Sequence, residues 1–241
     1  MFIQSDKVRD YIFPIATANA IPDIVVQKII GVQATKRILG SAFFIGNQGF
    51  ALTANHVIRG SESERLIAMF SLPSGEWQVF EITGYEAHPS EDVAIIKIEN
   101  NTWKSPFCIS DSSIHASTQY HLFGYPDDTT LELIAHNQVL LRPDLVYNEG
   151  YVRRRFTGDL PSIQGSSFIE LSEVAGTGVS GAPVIRGRTP TSEVIGVYIG
   201  EKINERATSV SYAVRAESFI DWVPNLLGKS VLEESRNFFT A

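Results

Sequence analysis

Residues 40–57 read GSAFFIGNQGFALTANHV, and their pattern is the strongest local indication of the fold. Two short apolar runs, at 41–45 and 50–53, flank a turn at 47–49 that contains Asn and Gly. Short apolar runs bounded by turn residues predict β-strands. His56 comes just past the second run, so the same stretch also holds the first candidate for chemistry.

The same pattern continues along most of the chain. Short apolar runs separated by Gly, Pro, Asn and Ser predict an all-β fold, either a sandwich or barrels. The predicted strands lie at 24–33, 41–45, 50–53, 65–70, 76–86, 93–99, 119–123, 131–141, 151–156, 166–171, 182–185, 193–199 and 209–214. A helix is predicted near the C-terminus, at 217–223, before Pro224.

Composition excludes several classes of protein. Hydrophobic residues make up 44% of the 241 residues and charged residues 20%, which rules out a disordered or fibrous chain. The net charge of −7 argues against a nucleic-acid partner. No apolar run reaches the roughly 18 residues of a transmembrane helix, so no membrane partner is expected. Cys108, the single cysteine, excludes a disulfide framework and favours the reducing cytoplasm.

The N-terminus leaves an alternative to a cytoplasmic location. Residues 18–20, Ala-Asn-Ala, resemble a signal-peptidase site after a short apolar stretch. Asp6 and Asp10 lie where a signal peptide carries basic residues. An N-terminal helix or strap packed on the domain is therefore favoured over a cleaved signal.

His56 and Asp92 are the first two candidate catalytic residues. Imidazole changes charge near neutral pH, so a histidine just past a strand end suits a general base. Asp92 lies where a polar loop enters the apolar run 93–98, so its carboxylate can be partly buried and can orient an imidazole. Glu91 competes for that role, but it would point to the opposite face of the strand. Taken singly, each is more often an ordinary surface or hydrogen-bonded side chain.

Ser180 is the third candidate, in residues 175–185 with the sequence AGTGVSGAPVI. The glycines allow φ above zero, so two amide N–H groups can point to one spot beside the serine hydroxyl, as a developing oxyanion requires. Taken alone, this loop could equally be a plain turn or a phosphate-binding nest. His56 and Asp92 lie in the first β half and Ser180 in the second, which predicts a cleft between the halves.

Together the three segments resemble the trypsin-like (chymotrypsin-fold) serine proteases, whose catalytic residues follow the same His, Asp, Ser order. The matching segments are 53–57, 92–96 and 178–183, with Phe-Gly-Tyr-Pro at 123–126 opening the second half. The resemblance extends over residues 24–225 and is closest to the bacterial trypsin-like and HtrA-type branch.

The resemblance implies a fold of two six-stranded antiparallel β-barrels with a C-terminal α-helix. His56 and Asp92 would belong to the first barrel and Ser180 to the second. The implied boundaries are a strap at 1–23, the first barrel at 24–105, a linker at 106–118, the second barrel at 119–215, and the helix and tail at 216–241.

The resemblance also implies an activity, hydrolysis of peptide bonds in protein or peptide substrates through an acyl-enzyme. Ser180 would be the nucleophile, His56 the general base and Asp92 the group that orients His56. The N–H groups of Gly178 and Ser180 would bind the oxyanion. This chemistry needs no cofactor and no metal, and the other histidines follow no metal motif.

Departures from the family concern activation and specificity. Val179 stands where zymogen-activated members carry an acid that pairs with a freed N-terminus, so that activation is excluded, and no PDZ domain is predicted. Val174 is expected at the base of the primary pocket, with Tyr198, Ile199 and Gly200 as its wall. These residues predict an apolar side chain at the cleavage position. Tyr198 is also a candidate replacement for the serine that supports the catalytic Asp in relatives.

Other functions stay open at this point. A protease-fold binding or scaffold module with a latent site would bind a partner without cleaving it, and an esterase would hydrolyse only small esters. A requirement for an activating protein partner would indicate a regulated effector, for instance in bacterial stress or phage defence. The arginines at 153–155 are interpreted as solvated surface and not as a nucleic-acid contact.

Overall fold

The structure is a computed structural model. It describes residues 8–18, 35–61, 64–72, 77–99, 103–135, 138–187, 192–203 and 209–237. In these ranges strands predominate, and they form two antiparallel barrels that lie one after the other along the chain. The predicted double barrel is therefore confirmed.

The first barrel is closed, with its strands in the order β1-β2-β3-β6-β5-β4. The strands are β1 (Ile12–Ala18), β2 (Thr35–Ile45), β3 (Phe50–Thr53), β4 (Arg65–Ser71), β5 (Trp77–Ala87) and β6 (Ala94–Ile98). A single-turn helix, α1 (Asn55–Ile58), follows β3. Strand β1 pairs with both β2 and β4, which closes the barrel and leaves no free edge.

The first barrel begins earlier than the predicted boundary at residue 24. The segment predicted as a strap contains β1, all seven residues of which are buried. Pro14 makes this strand hard to predict from the sequence, because proline inside an apolar run argues against a central strand. The structure accommodates Pro14 opposite Ser41 of β2. The predicted strand at 24–33 lies outside the described residues.

The second barrel closes through the strand Pro183–Arg186. This strand pairs with Gln119–Gly124 on one side and with Ser192–Ile203 on the other. A short parallel strand, Phe107–Ile109, extends the sheet from within the predicted linker. The predicted strand at 131–141 is instead a separate hairpin. The strands are β7 (Phe107–Ile109), β8 (Gln119–Gly124), β9 (Leu131–Ala135), β10 (Gln138–Arg142), β11 (Val146–Thr157), β12 (Ser167–Leu171), β13 (Pro183–Arg186), β14 (Ser192–Ile203) and β15 (Ser209–Arg215).

The C-terminal helix differs from the prediction. Residues 217–223 form no α-helix, only the end of a 3-10 helix at Ala216–Ser218 followed by turns. An α-helix, α2 (Val231–Arg236), lies further on, within the predicted tail. Its start carries a capping box, in which the Ser230 hydroxyl accepts from the Glu233 amide at 3.1 Å and the Glu233 carboxylate accepts from the Ser230 amide at 2.8 Å.

Aromatic side chains fill part of the first barrel. Phe44 stacks on Phe70 with ring centroids 5.6 Å apart and on Trp103 at 5.1 Å. Phe13 packs against Phe44 at 4.9 Å. Aromatic pairs at this distance add to the free energy of burial, so Phe44 contributes to the stability of this core through three ring contacts.

The Phe44→Ala variant should lose about 3–5 kcal/mol of folding free energy, because it leaves a cavity among three aromatic neighbours. Tyr85→Ala is the control, since Tyr85 is 39% exposed and its loss should cost under about 1 kcal/mol. Urea unfolding followed by tryptophan fluorescence measures both values. Equal losses in the two variants would contradict the assignment of Phe44 to the core.

Candidate active site

His56 and Asp92 form a pair with two points of contact. Helix α1 begins right after β3, and this places the His56 imidazole at the end of the first barrel. His56 Nδ1 lies 2.7 Å from Asp92 Oδ2, and the His56 amide donates to Asp92 Oδ1 at 2.9 Å. The Asp92 side chain is 5% exposed and that of His56 45%. A carboxylate held in this way favours the tautomer with the proton on Nδ1, leaving Nε2 to accept a proton.

The Glu91 carboxylate has a structural partner of its own, although residues 91 and 92 lie in a bend before β6 and not in the strand whose alternation was expected to separate them. Its buried carboxylate accepts from the Ser166 amide at 3.1 Å and the Ser167 amide at 3.4 Å. These two residues precede and open β12 of the second barrel. The carboxylates of Glu91 and Asp92 therefore serve different elements, and only Asp92 reaches the imidazole.

The loop at residues 175–181, called the Ser180 loop, has the predicted left-handed backbone. Gly176, Gly178 and Gly181 have φ values of +87°, +93° and +91°. The side chain of another residue would be strained at each of these positions. Ser180 itself is half-buried and keeps part of its surface accessible.

The Ser180 loop lies directly against the first barrel. The Ser41 amide donates to the Ser180 carbonyl at 2.7 Å. A Cβ atom at Gly181 would lie 2.0 Å from the Ser41 carbonyl oxygen and 2.3 Å from Thr53 Oγ1. Thr53 ends β3, just before the segment that carries His56. The structure thus brings Ser180 to the end of the first barrel where His56 lies, although no hydrogen bond joins their side chains among the described residues.

The two predicted oxyanion donors have no partner within the described chain. Neither the Gly178 amide nor the Ser180 amide donates to another described residue. The Thr177 carbonyl accepts from the Asp127 amide at 2.8 Å. In a trans peptide the N–H points away from the C=O, so this bond directs the Gly178 N–H away from Asp127. Two amides without acceptors beside a serine can bind a negative oxygen.

The predicted specificity residues have different surroundings. Gly200 adjoins Ser180, since a Cβ there would lie 3.8 Å from Ser180 Oγ. Val174 is 38% exposed, whereas Ile199 is buried. Tyr198 is fully buried, so it offers no surface to a substrate in this structure.

The structure gives Tyr198 a partner other than Asp92, contrary to the predicted support of Asp92 by this residue. The Tyr198 hydroxyl accepts from the Ala175 amide at 3.4 Å, and its ring belongs to the core cluster of the second barrel. Side chains alternate between the two faces of a strand, and at this position of β14 the side chain points into the barrel. Burial raises the pKa of the Tyr198 hydroxyl, which therefore stays a neutral acceptor.

Sequence reasoning missed Ser41, Asp127 and the segment around Gln164. The Asn55 side-chain amide, next to His56, donates to Gln164 Oε1 at 3.1 Å. No motif marks these residues, because their partners lie in the other half of the chain. The local signal available was the Gly40–Ser41 pair at the start of the first apolar run.

The arginines at 153–155 form ion pairs with acids of the second half of the chain. Arg153 and Arg154 both pair with Glu170, at 3.1 and 2.7 Å, and Arg155 pairs with Glu217. No cluster of three metal-ligating side chains occurs among the described residues. None of the described helices has the length and apolarity needed to span a membrane.

The fold and the site define a class of protein, the chymotrypsin-like double-barrel proteases. Residues 40–197 match the trypsin-like peptidase domain, and this match covers more than half of the chain. The chain therefore belongs to the trypsin-like peptidase family and is a trypsin-like serine protease. No curated protein matches it significantly in sequence.

Several solved protease structures share the fold. The protease domain of MamO from Magnetospirillum magneticum has a TM-score of 0.63 at 12% identity, covering 89% of this chain and 96% of its own. The HtrA-type protease AlgW with a decapeptide has 0.61 at 16%, covering 96% of this chain and 65% of its own. Deg5 has 0.60 at 17%, covering 95% and 100%. At such identities the likeness extends to the fold alone.

The Gly181→Ala variant should lose about 2–5 kcal/mol of folding free energy, the sum of left-handed strain and overpacking against Ser41 and Thr53. Gly60→Ala is the matched control. Gly60 has φ +83°, but a Cβ added there would have no atom within 4 Å, so strain alone should cost about 1–2 kcal/mol. Thermal unfolding of both variants gives the comparison. Similar losses would mean that the Ser180 loop does not lie against the first barrel.

Proposed function

We propose that the protein is a serine endopeptidase that cleaves protein or peptide substrates through an acyl-enzyme. This proposal rests on the two contacts by which Asp92 fixes His56, one to its amide and one to its imidazole. They lie at the end of the first barrel against which the Ser180 loop packs. A histidine oriented through Nδ1 beside a serine flanked by unpaired amides is the arrangement that acyl transfer requires.

The first half of the reaction forms the acyl-enzyme. Ser180 Oγ attacks the carbonyl carbon of the scissile bond while His56 Nε2 takes the hydroxyl proton. The carbonyl oxygen becomes an oxyanion and accepts hydrogen bonds from the Gly178 and Ser180 amides. His56 then gives its proton to the leaving nitrogen, the C–N bond breaks, and the amine product departs.

The second half restores the enzyme. Water gives a proton to His56 Nε2 and attacks the ester carbon, and a second oxyanion forms at the same amides. His56 returns the proton to Ser180 Oγ as the ester bond breaks. Asp92 orients His56 and stabilises the imidazolium that forms twice per cycle.

An apolar side chain at the cleavage position fits the residues next to Ser180. Gly200 leaves space beside the serine oxygen, and Val174, just before the Ser180 loop, is apolar and accessible. No carboxylate is predicted at the pocket base, so nothing favours Lys or Arg. Selectivity should be broad, because one methylene in such a pocket is worth about 1–3 kcal/mol.

An intracellular, regulated role completes the proposal. The lone cysteine, Cys108, is free, as expected for a protein of the reducing cytoplasm. Val179 is buried in the second barrel and offers no acid to a freed N-terminus. Control would therefore come from another source, and an activating protein partner in bacterial stress or defence is the form that we propose.

Labelling with a fluorophosphonate tests the nucleophile. The wild type should be labelled, and Ser180→Ala should lose labelling together with about 10⁶-fold in turnover. Ser112→Ala, at an exposed serine away from the site, is the control and should be labelled like the wild type. Equal labelling of the Ser180→Ala variant would remove Ser180 from this role. Binding of a partner without any labelling or cleavage would favour the scaffold function.

The Asp92→Asn variant tests the orienting group. Turnover should fall by about 10⁴-fold, because an amide at this position favours the wrong tautomer of His56. The folded structure should persist, since the shape of the side chain is kept. Asp159→Asn, at an exposed aspartate, is the control and should leave turnover unchanged. Peptide cleavage at a fixed pH measures both, and a loss below tenfold for Asp92→Asn would contradict the role.

A further inference from the structure

The position before Ser180 holds Val179 and not an acid, so no ion pair with a freed N-terminus can hold the Ser180 loop in place. Val179 is buried among apolar side chains of the second barrel and forms no ion pair. The glycines on both sides give the loop backbone wide conformational freedom. Something else must hold the Gly178 amide in the direction that an oxyanion requires.

Ser41 of the first barrel supplies polar contacts to this loop. It is fully buried, and its hydroxyl donates to the Gly178 carbonyl at 3.1 Å while accepting from the Tyr125 amide at 3.0 Å. Its own amide donates to the Ser180 carbonyl at 2.7 Å, and its carbonyl accepts from Thr53 Oγ1 at 2.7 Å. The hydroxyl, amide and carbonyl of one small residue are therefore all used, and two of these bonds go to the Ser180 loop.

These contacts fix the peptide planes on both sides of Gly178. The carbonyl before it, of Thr177, is held by the Asp127 amide, and its own carbonyl is held by the Ser41 hydroxyl. Rotation of either plane would break one of these hydrogen bonds, and loss of the bond to the buried Ser41 leaves a polar group unsatisfied. The Gly178 N–H shares its plane with the Thr177 carbonyl, so the Asp127 amide sets its direction, and the Ser41 hydroxyl restrains the adjoining plane between Gly178 and Val179.

We propose that Ser41 is a positioning residue for the oxyanion site and acts through Gly178. The proposal rests on the proposed function, since it assigns a catalytic purpose to the amides of the Ser180 loop. Ser41 belongs to β2 and Gly178 to the second barrel, so the site is complete only when the two barrels are in contact. Ser41 thus holds the Ser180 loop through its bonds to the Gly178 and Ser180 carbonyls, in a chain whose position 179 has no acid to form an ion pair.

The Ser41→Ala variant removes the hydroxyl and leaves the backbone contacts. The turnover number kcat should fall about 10–100-fold with KM changed less than about threefold, because the oxyanion forms only in the transition state. The inhibition constant of a peptide aldehyde, whose adduct carries the same oxyanion, should rise by the same factor. Hydrogen exchange at the amides of residues 174–181 should become faster.

Ser105→Ala is a closely matched control. Ser105 is also fully buried in the first half of the chain, and its hydroxyl also donates to one carbonyl, of Phe44 at 2.5 Å, and accepts from one amide, of Phe107 at 3.0 Å. The control should lose a similar amount of thermal stability. Its kcat, aldehyde inhibition and exchange at 174–181 should stay within about twofold of the wild type, because its partners lie away from the Ser180 loop.

The outcomes separate this inference from the proposed function. Unchanged exchange at 174–181 in Ser41→Ala overturns the positioning role whether or not the wild type cleaves peptides. Equal kinetic losses in Ser41→Ala and Ser105→Ala overturn it too, while fluorophosphonate labelling of the wild type upholds the protease. If Ser41→Ala does not fold, Ser41→Cys, with a weak thiol donor, replaces it in the same comparison.

Discussion

A backbone hydrogen bond from the Ser41 amide to the Ser180 carbonyl helps to bring the two halves of the candidate site together. It joins a strand of the first barrel to the loop that carries Ser180. Gly181 makes this approach possible, because any larger residue would meet the Ser41 carbonyl and Thr53. His56 lies three residues beyond Thr53, so the same contact brings the serine to the end of the barrel that carries the histidine.

Much of the fold and the site could be predicted because the signals are local. The strands around the 47–49 turn follow from short apolar runs, and the glycines near Ser180 permit the left-handed backbone that this loop adopts. The His56–Asp92 contact is long-range, yet the resemblance carried by the three segments and their order predicted it. Pairing of distant segments thus becomes predictable when each carries its own chemical signature.

The rest could not be predicted, for physical reasons that differ between residues. Strand β1 is buried along its whole length and contains Pro14, so neither alternation nor composition marked it. Tyr198 has the right sequence position for a pocket wall, but the face on which it lies depends on the register of β14, and that face is the barrel interior. No sequence motif marks Ser41, since the hydrogen-bond partners of its hydroxyl, Gly178 and Tyr125, lie more than eighty residues away.

Helix α2 is the last element along the described chain, and it contacts both barrels. The Glu234 side chain is fully buried and accepts from the Asn47 amide at 3.2 Å, across 187 residues of sequence. The Ile109 amide donates to Ser235 at 3.3 Å, so the helix reaches the strand that borders the second barrel as well. Helix α2 is synthesised after both barrels, so the hydrogen bond between the Asn47 amide and Glu234 forms only once the second barrel has been made. A protease assembled in this order gains its finished shape only after both barrels have left the ribosome.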